Sequence, residues 1–211
     1  MLAMKQKYAL PRLGLFLLLL FALLGFLVKS EAGILAEFDA AITGIIRDNL
    51  YPGFNAFFTT VTRFGGSFFV IVLTIIISGI FFVRKKKIEA VWLPGGIIAT
   101  GIFVQALKLF FNRPRPDLPH LVSTTSMSFP SGHSSAAFVL YGTLIILIGI
   151  YVKNKMRAVI AQTLLAAAIF CIGLSRVYSG VHFPSDVIGS FLIGGSWLSL
   201  TYGIYSRKRM R

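Results

Sequence analysis

The stretch from Ser175 to Asp186, SRVYSGVHFPSD, sets an arginine, a histidine and a carboxylate at Arg176, His182 and Asp186 in an otherwise apolar surrounding. Asp186 follows His182 by four residues. If a helix starts at Pro184, the carboxylate folds back onto one imidazole nitrogen, fixes the tautomer and leaves the other nitrogen free as nucleophile or base. A structural hydrogen bond is the alternative for this pair taken alone. A second stretch, Phe129-Pro130-Ser131-Gly132-His133-Ser134-Ser135, carries the residues of a helix start. Proline suits the first turn, and the free backbone N–H groups there form an anion site with His133 at its edge. A third holds Lys108, Arg113 and Arg115. A lysine inside an apolar helix is expensive and is a functional candidate by default, with snorkelling to the interface as the alternative.

Together these groups suit phosphoryl transfer. Charge spread over three equatorial oxygens needs several cations and backbone donors. Lys108, Arg115 and Arg176 supply the cations, and Ser131 and Gly132 the donors. One histidine can attack phosphorus while the other protonates the leaving oxygen. A magnesium site would want clustered carboxylates, whereas only Asp117 and Asp186 lie near these stretches. The three histidines, His120, His133 and His182, show no short zinc-ligand spacing.

The elements that must position these residues are read from the apolar runs. Of 211 residues, 56% are hydrophobic and only 13% charged, about half the charged share of a soluble domain. The mean hydropathy is +0.80. These values define a polytopic membrane protein. The net charge of +14 does not point to nucleic acid, because the basic residues sit in short clusters between long apolar runs. The single cysteine, Cys171, allows no disulfide within the chain and reads as a small packing residue.

Six segments can each cross a bilayer core, which takes roughly 20 helical residues: Pro11–Val28, Phe64–Val83, Ala90–Phe111, Ser131–Val152, Ala158–Leu174 and Val187–Tyr205. All are expected to be helical, since a spanning segment must satisfy its own backbone. The first, with Lys5, Lys7 and Arg12 before it and Ser30-Glu31-Ala32 after it, has features of a signal peptide. It is read as a retained helix, because the run is long for a signal and five remaining spans would leave the basic C-terminus outside. Between the first two spans, Ile34 to Pro52 has Ile34, Phe38, Ile42, Ile45, Ile46 and Leu50 at helical spacing, with Glu37, Asp39, Arg47 and Asp48 between them. That predicts an amphipathic interfacial helix covering the outer side of the bundle. The fold expected is all-α: six transmembrane helices plus this interfacial helix, in one membrane-embedded domain over residues 1–211.

Fourteen of the 21 Lys and Arg fall before span one, after span two, after span four and after span six. The positive-inside rule puts that side, with both termini, in the cytoplasm. By parity, Lys108, Arg113, Arg115, Arg176 and all three histidines lie at the extracytoplasmic side.

With these stretches in order on one membrane face, the sequence resembles the type-2 phosphatidic acid phosphatase superfamily of membrane lipid phosphatases. Its three motifs are Lys108 through six residues to Arg115-Pro116, Pro130-Ser131-Gly132-His133, and Ser175-Arg176 through His182 to Asp186. The resemblance implies that His182 becomes a phosphohistidine, oriented by Asp186, and that His133 is the general acid. It implies that Lys108, Arg115, Ser131, Gly132 and Arg176 hold the phosphate, with no metal or other cofactor. The six-residue spacing selects Arg115, while Arg113 repeats the Arg-Pro pair two residues early. Small bacterial members act in the cytoplasmic membrane on phosphatidylglycerophosphate or undecaprenyl diphosphate, and phosphatidic acid is a third substrate the family implies. The partner expected is a lipid phosphate reaching the site through the bilayer, with no obligate protein partner. The alternative is a non-hydrolytic anionic-lipid binding or transport protein, against which the His182–Asp186 pair argues.

Overall fold

The computed structural model describes residues 2–47 and 53–209, and side chains of residues 10–47 and 53–206. Among the described residues the secondary structure is helical throughout: α1 (Leu2–Lys29), α2 (Gly33–Arg47), α3 (Phe54–Val61), a 3₁₀ turn (Thr62–Gly65), α4 (Ser67–Val83), α5 (Lys87–Phe111), α6 (Gly132–Tyr151), α7 (Lys155–Tyr178) and α8 (Pro184–Arg209). Five of these, α1, α5, α6, α7 and α8, are long and apolar enough to cross a membrane. A sixth span is made by α3 with its 3₁₀ turn and α4 taken together, bent by 49° at their junction.

That bend corrects the straight helix expected over Phe64–Val83. The 3₁₀ turn ends at Gly65, and Gly66 is extended (φ −69°, ψ 148°) before α4 resumes. A Cβ at Gly65 would lie 2.6 Å from Ile172 Cγ2 and 3.2 Å from the His133 carbonyl oxygen. Only glycine allows the chain to turn this close to α6 and α7. The preceding helix α3 carries no strong sequence signal, and its first residues follow a stretch outside the described residues.

Helix α6 is the hub, packed against α4, α5, α7 and α8, while α1 lies along α8. In lipid there is no hydrophobic drive between apolar helices, so close approach through small residues supplies the packing. A Cβ at Gly194 of α8 would meet the Phe138 ring at 2.7 Å, and one at Gly173 of α7 would meet Phe191 at 2.7 Å. Ser196 of α8 donates to the Gly14 carbonyl of α1 at 2.8 Å. One core cluster joins Val70, Leu93, Leu140, Tyr141 and Ile172; a second joins Phe21, Val28, Leu35, Phe129 and Ile193. The outward faces are apolar as well, with Leu19, Phe26, Ile75, Leu109 and Leu164 all exposed, as a surface facing hydrocarbon requires.

The amphipathic helix expected from Ile34 to Pro52 is seen as α2 through Arg47; residues 48–52 lie outside those described. Its inner face is mixed, burying Leu35 and Asp39 together. Ile34, Phe38 and Ile45 point outward, while Asp39 is buried at 1% exposure. An apolar stripe turned away from the bundle suits a helix lying in a lipid interface.

The turns α4–α5 and α6–α7 and the start of α1 and end of α8 lie at one end of the bundle, carrying the basic clusters; Arg211 lies outside the described residues. The candidate chemistry lies at the other end. In a Cys171→Ala background, single cysteines placed at the exposed positions Asp117 and Lys155 are expected to label with opposite accessibility in intact cells. Labelling of both from one side would contradict the topology.

Candidate active site

Five elements converge on the end opposite the basic clusters. The end of α5 brings Lys108, the loop 112–131 brings Arg113, Arg115 and Ser128, the start of α6 brings Gly132 and His133, the last turn of α7 brings Arg176, and the α7–α8 connection brings His182. Helix α8 does start at Pro184, so Asp186 sits in its first turn and points back at His182, as its i+4 spacing allows.

His182 is 2% exposed. Its Nδ1 lies 3.2 Å from Asp186 Oδ2, and its Nε2 lies 3.3 Å from Arg115 Nη1. A guanidinium can only donate, so Nε2 is the acceptor and Nδ1 carries the proton towards Asp186. Asp186 is fully buried and richly bonded. Oδ2 also accepts from the Phe183 N–H at 2.9 Å and from Ser128 Oγ, and Oδ1 accepts from Arg113 Nη1 at 2.7 Å. Burial pushes the imidazole of His182 down to about 4, with Arg176 and Arg115 adding to the fall and Asp186 opposing it. The imidazole is therefore neutral at ordinary pH, with Nε2 holding a lone pair. Arg115 is lowered too, chiefly by burial.

Backbone carbonyls solvate Lys108 and Arg115, and a side chain solvates Arg176. Lys108, 5% exposed, donates to the Met127 carbonyl and lies 3.4 Å from Ser126 Oγ. Arg115 donates to the carbonyls of Ser126 (2.6 Å) and Val181 (2.5 Å) and to Ser126 Oγ (3.2 Å). Arg176 donates to Thr62 Oγ1 at 2.7 Å, while its buried Nε has no partner. A cavity of about 470 Å³ is lined by Lys108, Arg115, Gly132, His133, Arg176 and His182. From there it continues between α4 and α5 to Ile97, Ile71 and Ile98, the last two 52% and 62% exposed on the surface of the bundle.

Most of the expected site residues thus share one cavity. Ser131 is placed differently: it is fully buried outside the lining, its N–H donates to the Asp186 carbonyl oxygen at 3.3 Å, and its Oγ caps α6 by accepting from the Ser134 N–H at 3.4 Å. Its backbone donor is spent on holding α6 against α8. Gly132 does line the cavity, and a Cβ there would approach nothing closer than Lys108 Cε at 4.0 Å. Arg113 does not line it and lies behind Asp186, so it does not share the position of Arg115. His120 is also outside the lining, with Nε2 3.2 Å from the Pro116 carbonyl oxygen. Sequence reasoning missed Ser128, Thr62 and Asp39.

The PAP2 superfamily description matches residues 89–210, so the chain belongs to that superfamily. It is a multi-pass membrane protein and a membrane lipid phosphatase, a phosphoric monoester hydrolase. Phosphatidylglycerophosphatase B of Bacillus subtilis (strain 168) is 35% identical over 154 residues, covering 68% of this chain and 71% of that one. An undecaprenyl-diphosphatase of Sulfolobus acidocaldarius is 29% identical over 189 residues, covering 87% and 86%. A crystal structure of a transmembrane PAP2-type phosphatidylglycerolphosphate phosphatase from Bacillus subtilis superposes with a TM-score of 0.83 at 28% identity, covering 94% of this chain and 97% of the other.

The low His182 value has a pH consequence. Only the neutral imidazole has a lone pair to offer, so kcat/KM should hold as pH falls from 7 and drop on a limb near 4. Stability follows the same sign. The folded value lies below the ordinary 6.5, so the unfolded chain binds the extra proton first and stability is lost as pH falls from about 6.5 towards 4. Melting of the detergent-solubilised protein across that window, with His182→Gln melting less steeply with pH, checks the assignment.

Proposed function

We propose that the chain removes a phosphate from a lipid drawn sideways out of the bilayer, through a phosphohistidine on His182. The observation that carries this reading is the continuity of the cavity from the cationic cage to the gap between α4 and α5. A lipid tail can lie along Ile71, Ile97 and Ile98 while its phosphate reaches Lys108, Arg115 and Arg176. In the first step the Nε2 lone pair of His182 bonds to phosphorus. The bond from phosphorus to the lipid oxygen breaks, and that oxygen keeps the electron pair and takes a proton from His133. In the second step water gives a proton to His133 and bonds to phosphorus, the phosphorus–Nε2 bond breaks with its electron pair returning to His182, and inorganic phosphate leaves. Asp186 holds the Nδ1 proton throughout and balances the charge that develops on the ring.

The cage suits a terminal phosphate whatever bears it, so the substrates considered are phosphatidylglycerophosphate, phosphatidic acid and undecaprenyl diphosphate. The positive-inside asymmetry supports a site at the extracytoplasmic face of the cytoplasmic membrane, and the proposal treats the chain as a single domain. Phosphate release by the purified protein, measured on these three lipids side by side, ranks them; equal inertness towards all three would overturn the lipid reading.

The cavity lining is cationic and Asp186 is turned away from it, engaged by Arg113, Ser128, Phe183 and His182. Turnover is therefore expected to survive EDTA, and a loss restored by magnesium or zinc would contradict the mechanism. The two histidines should fail differently. His182→Ala removes the covalent step and should abolish turnover on every substrate. His133→Ala should cost about 10²–10⁴-fold with a lipid alkoxide leaving group, where acid help matters most, and much less with p-nitrophenyl phosphate. Label from the substrate appearing on His133, or rescue of His182→Ala by the activated substrate, would reverse the roles.

A further inference from the structure

The geometry points to Asp39 of α2 as a positioning residue for the chemical step, acting through Arg113 on Asp186. Asp39 belongs to none of the three motifs, and it comes from the interfacial helix rather than from the bundle. Yet it is among the most buried charged residues of the chain, at 1% exposure.

Its oxygens accept three bonds. Oδ1 takes the Ser185 N–H at 2.9 Å; Oδ2 takes Ser185 Oγ at 2.6 Å and Arg113 Nη2 at 2.8 Å. The other arm of the Arg113 fork, Nη1, donates to Asp186 Oδ1 at 2.7 Å and to Ser185 Oγ at 2.8 Å. The Phe183 ring lies against the guanidinium at 4.1 Å. Arg113 is thus shared between two carboxylates, one arm on each.

The sharing matters because an arginine facing a single carboxylate prefers to grip it with both arms. Without the charge of Asp39, Arg113 would be drawn wholly to Asp186. That would rotate the carboxylate and move Oδ2 off His182 Nδ1. It would also leave an uncompensated cation beside the one anion that His182 faces. The other charged and titratable groups around His182 are Arg115 from the loop 112–131, Arg176 from α7, Lys108 from α5 and His133 from α6, so among the described residues Asp186 is its only negative neighbour. Asp39 keeps that charge available to the imidazole. A purely structural tie between α2 and α8 needs only the Ser185 N–H bond, which a neutral asparagine carbonyl can accept as well. The substitution Asp39→Asn therefore separates the two roles.

This inference rests on the phosphohistidine reading, and the test separates the two. The purified full chain is assayed on phosphatidic acid in detergent micelles, with kcat, KM and acid-quenched phosphoenzyme formation measured together. Asp39→Asn is expected to lower kcat and phosphoenzyme formation by about 10–100-fold, as losing the outer partner of an oriented histidine does elsewhere, with KM within about twofold of wild type. In an Arg113→Gln background the same change should cost less than about twofold further, because the link is already cut. A kcat for Asp39→Asn within about twofold of wild type, or a loss that adds in full on Arg113→Gln, overturns the proposal. If Asp39→Asn does not fold, Arg113→Lys is read in its place. It keeps the charge but loses the fork, and the same kcat loss at steady KM is expected; a wild-type kcat there overturns the proposal. Wild-type turnover without label on His182 would count against the phosphohistidine and leave the kcat test of Asp39 standing.

Discussion

Positive charge held inside an apolar bundle is the constraint on which the rest of this structure depends. Lys108 and Arg176 sit in the last turns of membrane-length helices at 5% and 3% exposure, where the cost of about 2.5–3.5 kcal/mol for a cation at a helix centre is an upper bound. A hydrogen bond to a charged group returns about 1.5–3 kcal/mol. Lys108, with the Met127 carbonyl and Ser126 Oγ, comes close to balance. Arg176 does not: among the described residues Thr62 is the one hydrogen-bonded partner of its guanidinium, and its Nε is buried without one. The group that completes such a site is an anion with several acceptor oxygens. The uneven solvation of the cations, as well as their number, supports the phosphate site proposed here.

The two carboxylates near the site are kept out of that cavity. Asp186 accepts from Arg113, Ser128, Phe183 and His182, and Asp39 from Arg113 and Ser185. An acidic oxygen lining the cage would repel the substrate it is built for. Placing both behind His182, with Arg113 between them, lets the site be cationic towards the cavity and anionic towards the imidazole. The same ring then meets Arg115 on one nitrogen and Asp186 on the other, which fixes its tautomer from both sides.

The residues that line the cavity were legible because charged and titratable side chains are rare in an apolar chain. His182, Asp186 and Pro184 were legible as a unit, since four residues of spacing and a helix start fix their geometry locally. The position of Ser131 was less legible, because the sequence shows a helix start without showing that the Asp186 carbonyl takes up its N–H. Asp39 looked like one polar position among several on a surface helix. Its partners Arg113 and Ser185 are 74 and 146 residues away, and no local periodicity records which way an interfacial helix turns its charged face. Thr62 was hidden for the same reason, 114 residues from Arg176.

The broken span shows why the site needs more than the three motifs. A straight helix from Phe64 to Val83 would satisfy hydropathy equally well, which is why the sequence reads that way. The break at Gly65 and Gly66 places the 3₁₀ turn across the mouth of α6, with Gly66 positioned so that a Cβ there would come within 3.7 Å of His133 Nε2. It also brings Thr62 to the guanidinium of Arg176 and the Phe64 carbonyl to the Tyr141 hydroxyl at 2.9 Å. So one non-motif segment braces the helices that carry both His133 and Arg176. Gly65 and the first residue of α4, Ser67, line the cavity, whose apolar end lies between α4 and α5. The glycine pair therefore ties together two requirements, close support for the polar groups and a side opening for an apolar chain.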